Sequence, residues 1–300
     1  MSDLGALRAS PSESSDRPAD PLRGFQGFRV GVFGTSLGRA GLLILAVVVA
    51  FCFIGPLVYH TEQVRTNIAN VLQRPSGSHL LGTDANGYDE LGRLMLGGRS
   101  ALGIGLLAAV LASVFGSVYG ALAGYFGGLL DAVLMRVVDT FLALPGLLIL
   151  LVLASVFSPS FLMLALVIGM FAWLAPSRLL RGESLVLRTR EYVQASRLAG
   201  AGHAWVVVRH ILPNAINVIV VNATFQVADA ILVVSTLSFL GFGVPPPATN
   251  WGSMLNDGVN YSAAGYWWLL YPAGVLIILT VMSLNFIGEG IEAASGGGRR

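Results

Sequence analysis

The chain contains no lysine; all 18 of its basic residues are arginine. A P-loop needs a lysine to reach the β- and γ-phosphates. No such ATPase site can therefore be built here, and any ATP that drives this protein is expected to be hydrolysed by another subunit. Charge of either sign is scarce: 11% of the 300 residues are charged, against about 25% in a soluble domain. That is too little to cover a soluble surface of this size. Cys52 is the only cysteine, which excludes an intrachain disulfide and a cysteine-rich metal site. It sits in an apolar run and reads as a small packing residue. His60, His79, His203 and His210 show no metal-ligand spacing. No triad or pair of carboxylates suggests chemistry, so no catalytic residue, metal or bound cofactor is expected.

Apolar residues make up 55% of the chain, and glycine, at 37, is abundant. Uncharged or nearly uncharged runs cover residues 41–59, 100–126, 132–157, 161–177, 211–241 and 267–288. A spanning helix needs about 20 mostly apolar residues, which gives six spans, the fourth the shortest. In lipid they must be helices, because each backbone group needs a partner within its own segment. The alternation of an outer-membrane barrel is missing. The expected fold is all-α, a six-helix membrane protein in the cell membrane. The polar opening of the chain, rich in Ser, Pro, Asp and Arg, suits a retained anchor better than a cleaved leader.

Six spans put both termini on one side, and arginine chooses the side. One face collects Arg8, Arg17, Arg23, Arg29, Arg39, Arg178, Arg181, Arg188, Arg190, Arg197, Arg209, Arg299 and Arg300. The other holds Arg65, Arg74, Arg93 and Arg99. Both termini are therefore expected to be cytoplasmic. The chain divides into a polar tail (1–34), a membrane domain (35–295) and a short end (296–300). External loops are expected at 60–99 and 242–266, and a cytoplasmic loop at 178–210. Short connections run from Gly127 to Asp131 and from Ser158 to Ser160.

The cytoplasmic loop is the most informative segment. Ala, Leu, Gln and Arg favour a helix around 191–199, and Gly200 and Gly202 would stop it. Small Ala195, Ser196, Ala199 and Gly200 would let another surface approach closely. Pro213 can occupy the first turn of the fifth span, where its missing N–H costs nothing. This segment resembles the signature of binding-protein-dependent ABC importer permeases: Glu-Ala-Ala, three residues, Gly, nine residues, Ile, one residue, Leu-Pro. Gln194-Ala195-Ser196 fills the triplet, and Gly200, Leu212 and Pro213 follow at the required distances. The departures are Gln194 for Glu, Ser196 for Ala and His210 for Ile. Glu191 keeps a carboxylate nearby. The resemblance implies a coupling helix docked in a groove of the ATPase, with Glu191, Gln194, Ala195, Ser196, Arg197, Gly200, Leu212 and Pro213 as the contact set.

Two other stretches resemble the dipeptide/oligopeptide/nickel permease subfamily, second-permease type. One runs from His79 through Leu-Gly-Thr-Asp and Gly92-Arg93 to Ser100, with Tyr88 and Gly98 as departures. The other runs from Leu237 through Leu240-Gly241 and Pro245-Pro246-Pro247 to Trp251-Gly252. Trp251, Trp267 and Trp268 suit a membrane interface. The resemblance covers roughly residues 35–295. It implies a second homologous permease, two ATPase subunits that bind the ATP and Mg, and an external substrate-binding protein. Asp84, Asp89, Pro246 and Trp251 are the docking candidates for that protein. No nucleic-acid partner is expected.

Asp139 and Asp229 are acids inside apolar runs, where a charge needs a partner or water. Arg136, three residues before Asp139, could pair with it on the same helix face. Asp229 has no partner near it in sequence and suits a pathway or subunit interface. Pro145 should kink the third span, and Pro272 should shape the sixth. Short peptides are the expected cargo. Nickel, a metal chelate or another small solute is an alternative within the class. An ion-coupled secondary transporter working through Asp139 and Asp229 is the alternative outside it.

Overall fold

The computed structural model describes residues 33–296. The tail and end expected at 1–34 and 296–300 fall almost wholly outside the described residues. Among those described there is no β-strand, only an isolated bridge between Thr83 and Asp89. The long helices are α1 (Ser36–Phe53), α2 (Glu90–Phe126), α3 (Gly128–Leu142), α4 (Gly146–Val156), α5 (Phe161–Ala172), α6 (Leu174–Leu187), α7 (Glu191–Leu198), α8 (Ile216–Leu237), α9 (Trp251–Ser262) and α10 (Tyr271–Gly296). Four helices are long and apolar enough to cross a membrane, or six if the bent pairs α3–α4 and α5–α6 each count as one span.

The organising element is α2. At 1.5 Å per residue, its 37 residues reach about 55 Å, well beyond a hydrocarbon core of about 30 Å. Its first turns therefore project past the apolar layer, and residues 90–99 are helix rather than external loop. Asp89 caps this end by accepting the Gly92 N–H at 2.9 Å. Arg99, nearly three turns on, donates to the carbonyls of Cys52 and Phe53 at 2.8 and 3.0 Å. A cation thus answers the bare carbonyls where α1 ends. At the other end of α2, Arg188 does the same for the carbonyls of Gly124 and Tyr125. Only Gly127 separates α2 from α3, so Asp131 belongs to a helix and not to a connection.

Packing on α2 is glycine-led. A Cβ on Gly116 would stand 2.6 Å from the Trp173 carbonyl oxygen, and one on Gly124 would stand 2.5 Å from that of Arg181. Between them, Gly120 lies against the Ser177 carbonyl. This spacing of four, repeated, brings the backbones of α2 and α6 into direct contact, the small-residue solution to helix packing in lipid. Further along, Ile104 and Ala108 of α2 meet Leu164 and Ile168 of α5 and Ala230 and Val234 of α8 in the main apolar cluster. On the far side, α1 lies along α10, with Gly41 against the Ser283 carbonyl.

The two bends have different origins. Between α3 and α4 the chain turns by 80°, and Pro145 stands at the N-cap of α4. That is a break rather than the expected kink. Between α5 and α6 the bend is 41°. Pro176 has no N–H to return to the Ala172 carbonyl, and Gln226 of α8 donates to that carbonyl instead, at 2.7 Å. Pro272 is the second residue of α10, where proline is tolerated, so it produces no bend within the sixth span.

Candidate functional site

The segment expected to be helical at 191–199 is α7, Glu191–Leu198. It is closed by Gly200 at φ +89°. The Gly200 N–H bonds to the Arg197 carbonyl and the Ala201 N–H to the Ser196 carbonyl, both at 3.0 Å. This paired helix end needs a left-handed residue, which glycine supplies without strain. A Cβ added at Gly200 would meet nothing within 4 Å, so the helix end faces open space.

One side chain seats α7. Val193 is its sole buried residue, fully enclosed by a cluster that includes Ala121 and Tyr125 of α2, Leu180 and Leu187 of α6, and Val206 and Ile211. The rest of the helix is turned outward. Glu191, Gln194, Ala195 and Arg197 are exposed, and Leu198 is 90% exposed. Trp205, half exposed, borders an open hollow with Ser196, Ala199 and Gly200. Leu198 and Trp205 escaped the sequence reading; an apolar residue at the end of a polar helix was the available signal.

Ser196 and His210 face each other, Oγ to Nε2 at 2.9 Å. The Ser196 hydroxyl proton goes to the Tyr192 carbonyl, also at 2.9 Å. The serine oxygen is then an acceptor, and His210 Nε2 carries the donated proton. Arg197 lies over the Tyr125 ring at 5.9 Å, and Tyr125 hydroxyl meets His203 Nδ1 at 3.0 Å. Gln194 donates back to the Thr189 carbonyl.

Leu212 and Pro213 are placed differently from expectation. Leu212 is half-buried and packs on the cluster beneath α7. Pro213 lies in a one-turn helix, Leu212–Asn214, ahead of α8 and after a π-helical turn at Val207–Ile211. Together they form the joint between α7 and α8 rather than an exposed grip.

Asp139 pairs with Arg178 of α6 at 2.5 Å, not with Arg136. Asp131, buried, takes a forked pair from Arg181 at 2.5 and 2.7 Å. These two bridges tie α3 to α6. Asp229 lies mid-way along α8 and is exposed, with no hydrogen bond or ion pair among the described residues.

The four residues expected to meet an external partner divide sharply. Asp89 is 3% exposed and its Oδ2 is engaged by Tyr59 hydroxyl and His79 Nδ1, both at 2.9 Å. Burial, and then the Asp89 carboxylate, holds the Tyr59 phenol above its ordinary pKa. Asp84 is buried too; it accepts from the Asn86 and Tyr88 N–H groups and pairs with Arg93 at 3.3 Å. Tyr88 stacks on the Arg93 guanidinium at 4.7 Å. Trp251 is fully buried, its indole N–H on the Leu94 carbonyl at 2.9 Å, and Trp268 is buried as well. Only Pro246 is exposed. Asp84, Asp89 and Trp251 therefore build this end of the molecule rather than present themselves on it.

A bundle with four to six apolar helices, glycine-packed and nearly free of charge between its ends, is a multi-pass membrane protein. Residues 116–295 match the binding-protein-dependent transport system inner membrane component family, and the chain belongs to that family. It is 40% identical over 257 residues, 85% of either chain, to the oligopeptide transport system permease protein OppC of Salmonella typhimurium. It is 39% identical, with the same coverage, to the protein of the same name in Escherichia coli.

Proposed function

We propose that this chain is the permease subunit of an ATP-driven importer for short peptides, with α7 as the element that docks on an ATPase. The carrying observation is the contrast within α7: Val193 is fully enclosed while Leu198, five residues on, is 90% exposed. A helix fixed to the bundle by one face and bare on the other is suited to receive a push and pass it on. The names of the similar permeases support peptide cargo. The distribution of arginine supports six spans with both termini and α7 on the cytoplasmic side. A second permease would cover the open faces of the bundle, including that of Asp229. Two ATPase subunits would bind the ATP and Mg. An extracytoplasmic binding protein would meet the opposite end, near the N-terminus of α2.

The test is reconstitution with the partner permease, ATPases and binding protein in liposomes, reading ATP-dependent uptake of a labelled peptide. Leu198→Glu is expected to abolish ATPase co-purification and uptake. Wild-type ATPase retention and uptake in that variant would overturn the docking assignment. Uptake by this chain alone, driven by an ion gradient, would favour a secondary transporter instead.

A further inference from the structure

A second site lies at the other end of α2. A cavity of about 280 Å³ opens there, lined by Asp84, Asn86, Glu90 and Arg93 on one side and Met254, Asp257, Asn260, Tyr261 and Leu269 on the other. Its lining is graded. Glu90, at the floor, is 3% exposed, and Arg93 beside it is 6% exposed. Asp257, Asn86 and Asn260 are exposed at the rim.

The charges do not balance. Asp84 holds Arg93 in an ion pair, and the Tyr88 ring covers the guanidinium. That leaves Glu90 and Asp257 without an ion-pair partner. The Glu90 backbone N–H bonds to the Gly82 carbonyl at 3.0 Å, but its side chain makes no hydrogen bond or ion pair among the described residues. Arg93 Nη1 is buried beside it without an acceptor. A buried carboxyl without a donor avoids the cost of its charge by holding a proton. Burial, and then Asp84, keep Glu90 well above the ordinary carboxylate range, with Arg93 opposing, and a cation entering the cavity would displace that proton. Partial burial already pushes Asp257 above its ordinary pKa, Asp84 adding to this and Arg93 opposing it. A group that carries positive charge and donates hydrogen bonds would answer both Glu90 and Asp257, and Met254 and Leu269 offer an apolar wall for an aliphatic stem. A lysine or arginine side chain has this make-up. The volume falls just under the roughly 300–1,000 Å³ of small-ligand pockets, which suits one side chain better than a whole ligand.

We infer that this cavity is the receptor for a basic side chain of the extracytoplasmic binding protein, seated between Glu90 and Asp257. The inference rests on the reading that the α2 N-terminal end faces that protein. It moves docking from Asp84 and Asp89, which are engaged within the chain, to a pair of carboxylates that are not.

The experiment uses the whole complex in nanodiscs and measures binding-protein affinity at several salt concentrations. Glu90→Gln and Asp257→Asn are each expected to weaken docking about tenfold and to flatten its salt dependence. Asp257 is on the exposed rim, so its variant remains informative if Glu90→Gln disturbs assembly. Butylammonium should compete with the binding protein for the wild-type complex, and butanol should not. Wild-type affinity in Asp257→Asn would overturn the inference. Butylammonium binding combined with unchanged docking in the variants would overturn the choice of occupant, leaving the cavity to a free amine. If the wild-type complex itself fails to bind the protein, the reading of this end falls, and the inference with it.

Discussion

Ser196 and His210 are hydrogen-bonded to each other at 2.9 Å, and they are two of the three positions at which the coupling segment departs from the signature it resembles. The two departures thus meet in space, one supplying the donor and the other the acceptor. Ser196→Ala alone would leave the His210 N–H without its acceptor, and His210→Ile alone would remove the donor. Each single variant should lose about 1 kcal/mol of stability, and the double variant less than the sum. A thermal-unfolding double-mutant cycle on the purified complex checks this; strict additivity would show the pair to be uncoupled.

The glycines of α2 and α6 should respond in opposite directions to the same substitution. Gly120→Ala drives a methyl into the Ser177 backbone and should destabilise by about 1–3 kcal/mol. Gly182→Ala, in a helix with nothing within 4 Å of the new Cβ, should stabilise by roughly 0.5–1 kcal/mol. Unfolding of the two variants in detergent, side by side, separates packing from chain entropy.

Gln226→Leu removes the donor that satisfies the Ala172 carbonyl at the Pro176 bend. A buried acceptor left without a partner costs about 1–3 kcal/mol. Restoring the backbone donor with Pro176→Ala in the same chain should recover part of that loss and straighten the helix. Stability measurements on both variants, with a distance probe across α5 and α6, report the two effects.

Val193→Ala should loosen α7 without exposing new apolar surface on the bundle. A loss on the order of 2 kcal/mol is expected if the cluster does not collapse around the gap. Hydrogen exchange should rise across Glu191–Leu198 while α2 and α6 stay protected. Uniform exchange across all three would place the seat of α7 elsewhere.

Much of the architecture was readable because it depends on local pattern. The apolar runs located the helices, and Gly200 marked the end of α7, since a left-handed residue is required there. What escaped depends on residues distant in sequence. Arg136 was the local choice for Asp139, but Arg178, 39 residues away, reaches it across α3 and α6. Trp251 reads as an interface anchor on composition; its indole instead finds the Leu94 carbonyl 157 residues upstream. The bend at Pro176 was masked because Arg178 and Arg181 made the fourth run look finished. Asp84 and Asp89 were visible as charged loop residues, yet nothing local shows that Tyr59, His79 and Arg93 converge on them.

The contact of α2 with α6 also sets how stiff the molecule is. Where Gly116, Gly120 and Gly124 meet opposing main chain, no side-chain rotamer lies between the two helices to bend or re-pack. Such a joint has little compliance. A displacement applied at α7 would reach the far end of α2 with little of the stroke absorbed on the way.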